Sequence, residues 1–104
     1  MNTSQSINGQ RPDLSRVQNL KTTNKQTNAI SFEWDSLAYE PNLLRFELYV
    51  DDVYNNTNFG PAVTSSGIGG IDSDTTYKIS LRPIYDIDGT EFAAFDTDLF
   101  ETTL

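Results

Sequence analysis

The chain has no cysteine and no histidine. That excludes disulfides, cysteine-based zinc sites and any catalysis that needs an imidazole or a thiolate. Basic residues are scarce too: seven Lys and Arg face fifteen Asp and Glu, for a net charge of -8. Such a surface repels phosphates, so no nucleic-acid partner is expected, and an anionic bilayer is disfavoured for the same reason. No run approaches the roughly 18 apolar residues of a membrane span, and no membrane insertion is expected. The N-terminus has no basic region followed by an apolar core, so it does not read as a signal peptide. A phosphate-binding loop and a dinucleotide fingerprint are missing as well.

What is present fits one small domain. At 104 residues, with one Trp, five Tyr and six Phe, the chain can build a single core without metals or disulfides. Residues 1–14, "MNTSQSINGQRPDL", read as an extended polar arm or linker. Seven of the first ten are Asn, Gln, Ser or Thr, and Ile7 is one of two apolar exceptions. Such a composition cannot bury enough surface to order itself.

Strand signals fill residues 15–104. "AISFEWD" places Ile30, Phe32 and Trp34 on one face. "LRFELYVDD" sends Leu44, Phe46, Leu48 and Val50 inward and Arg45, Glu47 and Tyr49 outward. "DVYNNTNFG" reads as turn-rich, a short strand is expected around residues 63–66, and "GIGG" at 67–70 reads as a turn. "TYKISLRPIY" is the clearest strand. Asp88–Gly89 is a hairpin turn signal, and "EFAAFDTDLFETTL" reads as one closing strand with Phe95, Thr97 and Leu99 on one side. No window is helical. The pattern predicts an all-β fold, a seven-stranded antiparallel two-sheet sandwich.

One stretch is more specific. In "GGIDSDTTYKISLRP", the segment Ile71, Ser73, Thr75, Tyr77 resembles the Leu-x-Pro-x-Thr-x-Tyr pattern that precedes strand F in fibronectin type III domains. These belong to the immunoglobulin-like sandwiches. "VQNLKTT" is similar to the family's first strand, and Trp34 falls where the family places its core tryptophan. The resemblance covers about residues 14–104. It implies that the Tyr77 hydroxyl bonds back to backbone at the corner before its strand. There are two departures: Ser73 replaces the usual proline, and Pro83 sits inside strand F, where a bulge, an edge position or an early strand end is expected.

No catalytic constellation is found, and neither enzymatic activity nor a cofactor is expected. The one set of hard oxygens on a single loop is Asp86, Asp88 and Glu91, a weak calcium candidate set against a solvated Asp–Gly turn. No metal is expected there, nor a small-molecule ligand. The resemblance implies a structural or protein-binding module with protein partners. Ile7, Tyr49 and Tyr54 are its candidate contact residues. The start Met, the short length and the polar arm suggest an accessory protein on a large assembly, such as the surface of a phage head or tail. The alternative is an extracellular module of a longer chain, a glycan-active enzyme or a receptor, serving as spacer or adhesion domain.

Overall fold

The computed structural model describes residues 10–104, apart from the side chains of 57 and 58. Its strands are β1 (Lys21–Lys25), β2 (Ala29–Glu33), β3 (Leu43–Val50), β4 (Val53–Phe59), β5 (Ser65–Gly69), β6 (Thr76–Ile87), β7 (Thr90–Ala93) and β8 (Thr97–Thr102). One sheet has the order β1-β2-β5. The other runs β4-β3-β6-β7, with β8 also on β6. All these pairings are antiparallel. Among the described residues there are eight strands where seven were expected, and the expected closing strand is two of them. β7 pairs with the end of β6 and β8 with its beginning.

The core lies where period-two alternation puts it. Ile30 and Phe32 from β2 face Phe46 and Leu48 from β3 and Ile79 and Leu81 from β6, with Val17 and Trp34 filling the ends. Each such side chain contributes roughly 1.5–3 kcal/mol relative to leaving it in water.

Four expectations fail in instructive ways. Leu44 is exposed, and Leu43 takes its place in the core. β3 pairs Leu43 with Tyr85 and then Arg45 with Ile84, so Leu44 is an extra, bulged residue and the inward face shifts there by one. The Asn-rich stretch is not a loop but strand β4. The turn before it is only Asp51–Asp52, both with positive φ (49° and 68°), between the paired Val50 and Val53. The glycines at 67 and 69 lie inside β5, with Ile68 buried between them, and only Gly70 (φ 66°) turns. A Cβ on Gly67 would come within 3.1 Å of the Ile30 carbonyl, so the residue allows close approach to β2. β1 begins only at Lys21. Residues 15–20 form no strand, and Asn19 among them sits in the left-handed region (φ 57°).

Pro83 neither bulges nor ends β6; the strand runs straight through it. Its carbonyl accepts from Ala94 N at 3.0 Å, so its missing N–H faces the same neighbour. That is where the neighbour is interrupted, between β7 and β8. The cost of a proline in a central strand is thus moved to the partner strand, and Phe95, in the break, is exposed.

The corner before β6 is held by several bonds. Tyr77 Oη accepts from Asp72 N at 2.8 Å. Thr75 donates its N–H to Thr103 Oγ1 at 3.0 Å and its hydroxyl to the Ser73 carbonyl at 2.8 Å. The Thr103 hydroxyl in turn donates to Asp72 O at 2.6 Å. Ile71 packs against the core. Tyr77→Phe is expected to keep the fold and lose about 0.5–1.5 kcal/mol, because the Asp72 amide is exposed and water can replace the lost acceptor. Urea melts check this. A loss above about 3 kcal/mol would mean the hydroxyl does more than receive one amide.

Glu101 closes the sandwich edge between β8 and β1. Its carboxylate accepts from the Thr22 hydroxyl (2.6 Å), the Thr102 amide (3.0 Å) and Lys25 Nζ (3.2 Å). These bonds, the Thr22 one foremost, hold its pKa below the ordinary glutamate value. A lowered folded pKa gives stability that is fully present above the unfolded value of about 4.3. It is lost as pH falls through the lower folded value. Thermal melts from neutral to acid pH should therefore show Glu101→Gln losing less stability on acidification than wild type. Equal slopes would remove Glu101 from the acid transition.

Candidate functional site

The sheet of β4, β3, β6, β7 and β8 turns its second face outward, and the unusual side chains gather there. Alternation along β3 puts Arg45, Glu47 and Tyr49 on that face, and β6 contributes Lys78, Ser80 and Arg82. Tyr54 from β4 stands opposite Tyr49, their rings edge to face at 5.8 Å. β8 places Asp98 opposite Ser80 and Phe100 opposite Lys78.

The centre of the face is fixed by a chain of polar contacts. Arg82 is clamped by Asp96 (2.7 and 3.1 Å), which lies in the break between β7 and β8. The same guanidinium lies over the Tyr49 ring, 4.3 Å from its centroid, and donates to Tyr49 Oη at 3.0 Å. Tyr49 Oη donates onward to Glu47 at 2.9 Å. Glu47 also takes Arg45 at 3.2 Å, and Arg45 reaches Glu91 at 2.9 Å. Glu47 points outward yet is buried, because these neighbours cover it. Burial, and then the Glu47 bond, pushes the Tyr49 phenol up to about 12. For Arg82, burial works against the cation, but Asp96 outweighs it and its pKa is raised. The Arg45 hydrogen bond holds Glu91 below the usual carboxylate range.

Against this locked centre, two rings are open. Tyr54 is 51% exposed and Phe100 65%. Asp98, next to Phe100 on the same face, is exposed and accepts from the Ser80 hydroxyl at 2.7 Å.

The weak metal candidates do not converge. Asp86 Oδ1 accepts from the Gly89 amide at 2.8 Å and so stabilises its own turn, in which Asp88 (φ 53°) and Gly89 (φ 85°) form the expected two-residue hairpin. Glu91 is paired with Arg45. Among the described residues, no three acidic side chains gather as a metal ion would need. Trp34 and Tyr77 lie in the core and at the corner, away from the outer face. Ile7 lies outside the described residues. Of the expected arm, residues 10–14 lie against the sandwich: Arg11 N donates to Ala93 O at 2.8 Å, Gln10 Nε2 reaches Asp96 at 3.0 Å, and Leu14 packs on the core. Among the described residues no helix is long and apolar enough to cross a membrane.

No family model matches the sequence, and no curated protein matches it. Solved structures do. Part of the Clostridium perfringens spore cortex lytic enzyme SleM is similar with a TM-score of 0.67 at 22% identity, over 86% of this chain and 28% of that one. The central fibronectin-III array of RIM-binding protein gives 0.72 at 19% identity, over 89% and 34%. The third fibronectin III domain of the human KIAA0343 protein gives 0.60 at 15% identity, over 99% and 95%. The chain thus spans about a third or less of the first two proteins and matches the third almost end to end. At these identities the likeness is one of fold, and by that fold the chain is a fibronectin type III-like β-sandwich.

Proposed function

We propose that the protein is a non-catalytic interaction module, docking onto a larger protein assembly through the outer face of its five-stranded sheet. The observation that carries this reading is the exposure of Tyr54 and Phe100 beside a rigid, ion-paired centre. Exposed rings on a fixed platform suit protein recognition, since little side-chain freedom is lost on binding. The acidic surface keeps neighbouring copies apart. A phage head or tail is the assembly that the polar N-terminal segment favours. The likeness to a stretch of a spore cortex lytic enzyme supports a second reading, a spacer or adhesion module within a longer secreted chain.

Cross-linking in the source cells, followed by peptide mass spectrometry, tests the docking face. The wild-type chain should link reproducibly to one protein, and Tyr54→Ser/Phe100→Ser should lose that link while melting normally. Unchanged cross-links in the double variant would sink the reading. Linkage to particle proteins favours the first home, and linkage to cell-wall enzymes the second.

A further inference from the structure

The partner's chemistry follows from how the outer face spends its charges, on the reading that this face docks a protein. Its three cations are committed: Arg45 to Glu47 and Glu91, Lys78 to Asp52, and Arg82 to Asp96. Seven acids, Glu47, Asp51, Asp52, Asp86, Glu91, Asp96 and Asp98, stand against those three. Asp98 has a neutral hydroxyl as its donor and, among the described residues, no salt bridge; the Lys78 ammonium, hydrogen-bonded to Asp52, acts on it only through space. Two residues along β8 on the same face stands Phe100, so an open carboxylate and an open ring lie roughly 6–7 Å apart along the strand.

The molecule fills this kind of pairing twice elsewhere. Arg82 covers the Tyr49 ring at 4.3 Å while forking onto Asp96, and Arg11 lies 5.0 Å over Phe92 while forking onto Asp13. In each, one guanidinium meets a ring face and a carboxylate together. A guanidinium can do both because it is planar and carries its donors at the rim. Phe100 and Asp98 offer the same two groups with no guanidinium between them. We infer that they receive an arginine from an extended basic segment of the partner protein, which then crosses the strands toward Tyr54. From β8 to β4 is three strand spacings, roughly 14 Å, or about four extended residues. A lysine would satisfy Asp98 but lie less well on the ring.

The probe is a synthetic peptide with arginine at every fourth position and serines between. Nitrogen–proton NMR shifts and titration calorimetry on the whole chain read its binding. Shifts are expected at Tyr54, Lys78, Asp98 and Phe100, and added salt should weaken the complex. Asp98→Asn keeps the acceptor for Ser80, and Phe100→Ala removes an exposed ring, so both should fold normally. Each is expected to weaken binding about fivefold, in the range of a cation–ring or charged contact. Asp88→Asn, with the same charge change at the far hairpin turn, should stay within about twofold.

Equal weakening by Asp88→Asn and Asp98→Asn, or shifts scattered over all acidic loops, would overturn the inference as general charge attraction. If a neutral N-acetylglucosamine oligomer shifts the same amides and the arginine peptide does not, the docked segment is not a basic one. If neither ligand shifts the face but the cross-link is still lost in Tyr54→Ser/Phe100→Ser, the arginine inference fails and the docking reading stands. Unchanged cross-links remove the docking reading itself.

Discussion

Trp34→Ala is expected to destabilise the protein by about 3–5 kcal/mol, as large aromatic-to-alanine changes in closed cores do. The indole is 4% exposed. It packs edge-on against Phe46 and Phe59, with centroids 5.6 and 6.5 Å away, and tilts over Phe32 at 5.9 Å. It thus joins rings from β2, β3 and β4, across both sheets, so no single element can collapse into the space it leaves. Its Nε1 is buried with no hydrogen-bond partner among the described residues, so truncation breaks no hydrogen bond and the loss is one of packing. Trp34→Phe should stay within about 1.5 kcal/mol of wild type, since it keeps a ring and removes the orphan donor. Urea melts with unchanged slopes check both. An alanine variant as stable as wild type would take Trp34 out of the core. Against a total stability of about 5–15 kcal/mol for a domain of this kind, the expected loss decides whether the chain stays folded on warming.

How much of the fold could be read in advance depends on where each strand sits. β2 and β6 are half-buried and central, so Ile30 and Phe32, and Ile79 and Leu81, repeat with period two and were legible. β4 is an edge strand, and an edge needs no apolar alternation. Its asparagines look like turn residues, and what makes them a strand is the tight Asp51–Asp52 turn feeding back from β3. The bulge at Leu44 depends on the pairing of β3 with β6, about forty residues on, and no local pattern announces it. Pro83 warned of a defect correctly, but the defect lies in the strand opposite, which one segment read alone cannot reveal.

The outer face was legible only in part. Tyr49 stands on an outward alternation, whereas Tyr54 falls in a stretch that reads as turn and is marked only by being aromatic. Glu47 was placed outward, but its burial comes from Arg45 and Tyr49 on its own strand and Arg82 on the next. Asp98 and Phe100 had a signal that went unused: with Leu99 inward in β8, its two neighbours must point out. Phe95 obscured it, because assigning residues 95–99 to one strand runs through the break where Asp96 leaves the sheet.

That break gives the second large expectation. Arg82→Met should destabilise by about 2–3 kcal/mol, within the range for charged hydrogen bonds and a partly desolvated cation over a ring. Methionine keeps the apolar stem but removes the fork. Asp96 then keeps Gln10 as a side-chain donor but loses its charged partner, and Tyr49 loses both the donor to its hydroxyl and the cover over its ring. Arg82→Lys should recover only part of the loss, because an ammonium cannot clamp the carboxylate at two points and lie flat on the ring. Arg82→Met/Asp96→Leu should regain more, since the stranded carboxylate is what makes the single change costly. A double variant no more stable than Arg82→Met would show instead that the ring contact with Tyr49 carries the effect. The consequence reaches the docking face, because Tyr49 is the ring against which Tyr54 stands. A loosened Tyr49 should weaken partner binding even though Arg82 itself is largely covered, whereas Glu101→Gln, at the sandwich edge, should leave binding unchanged.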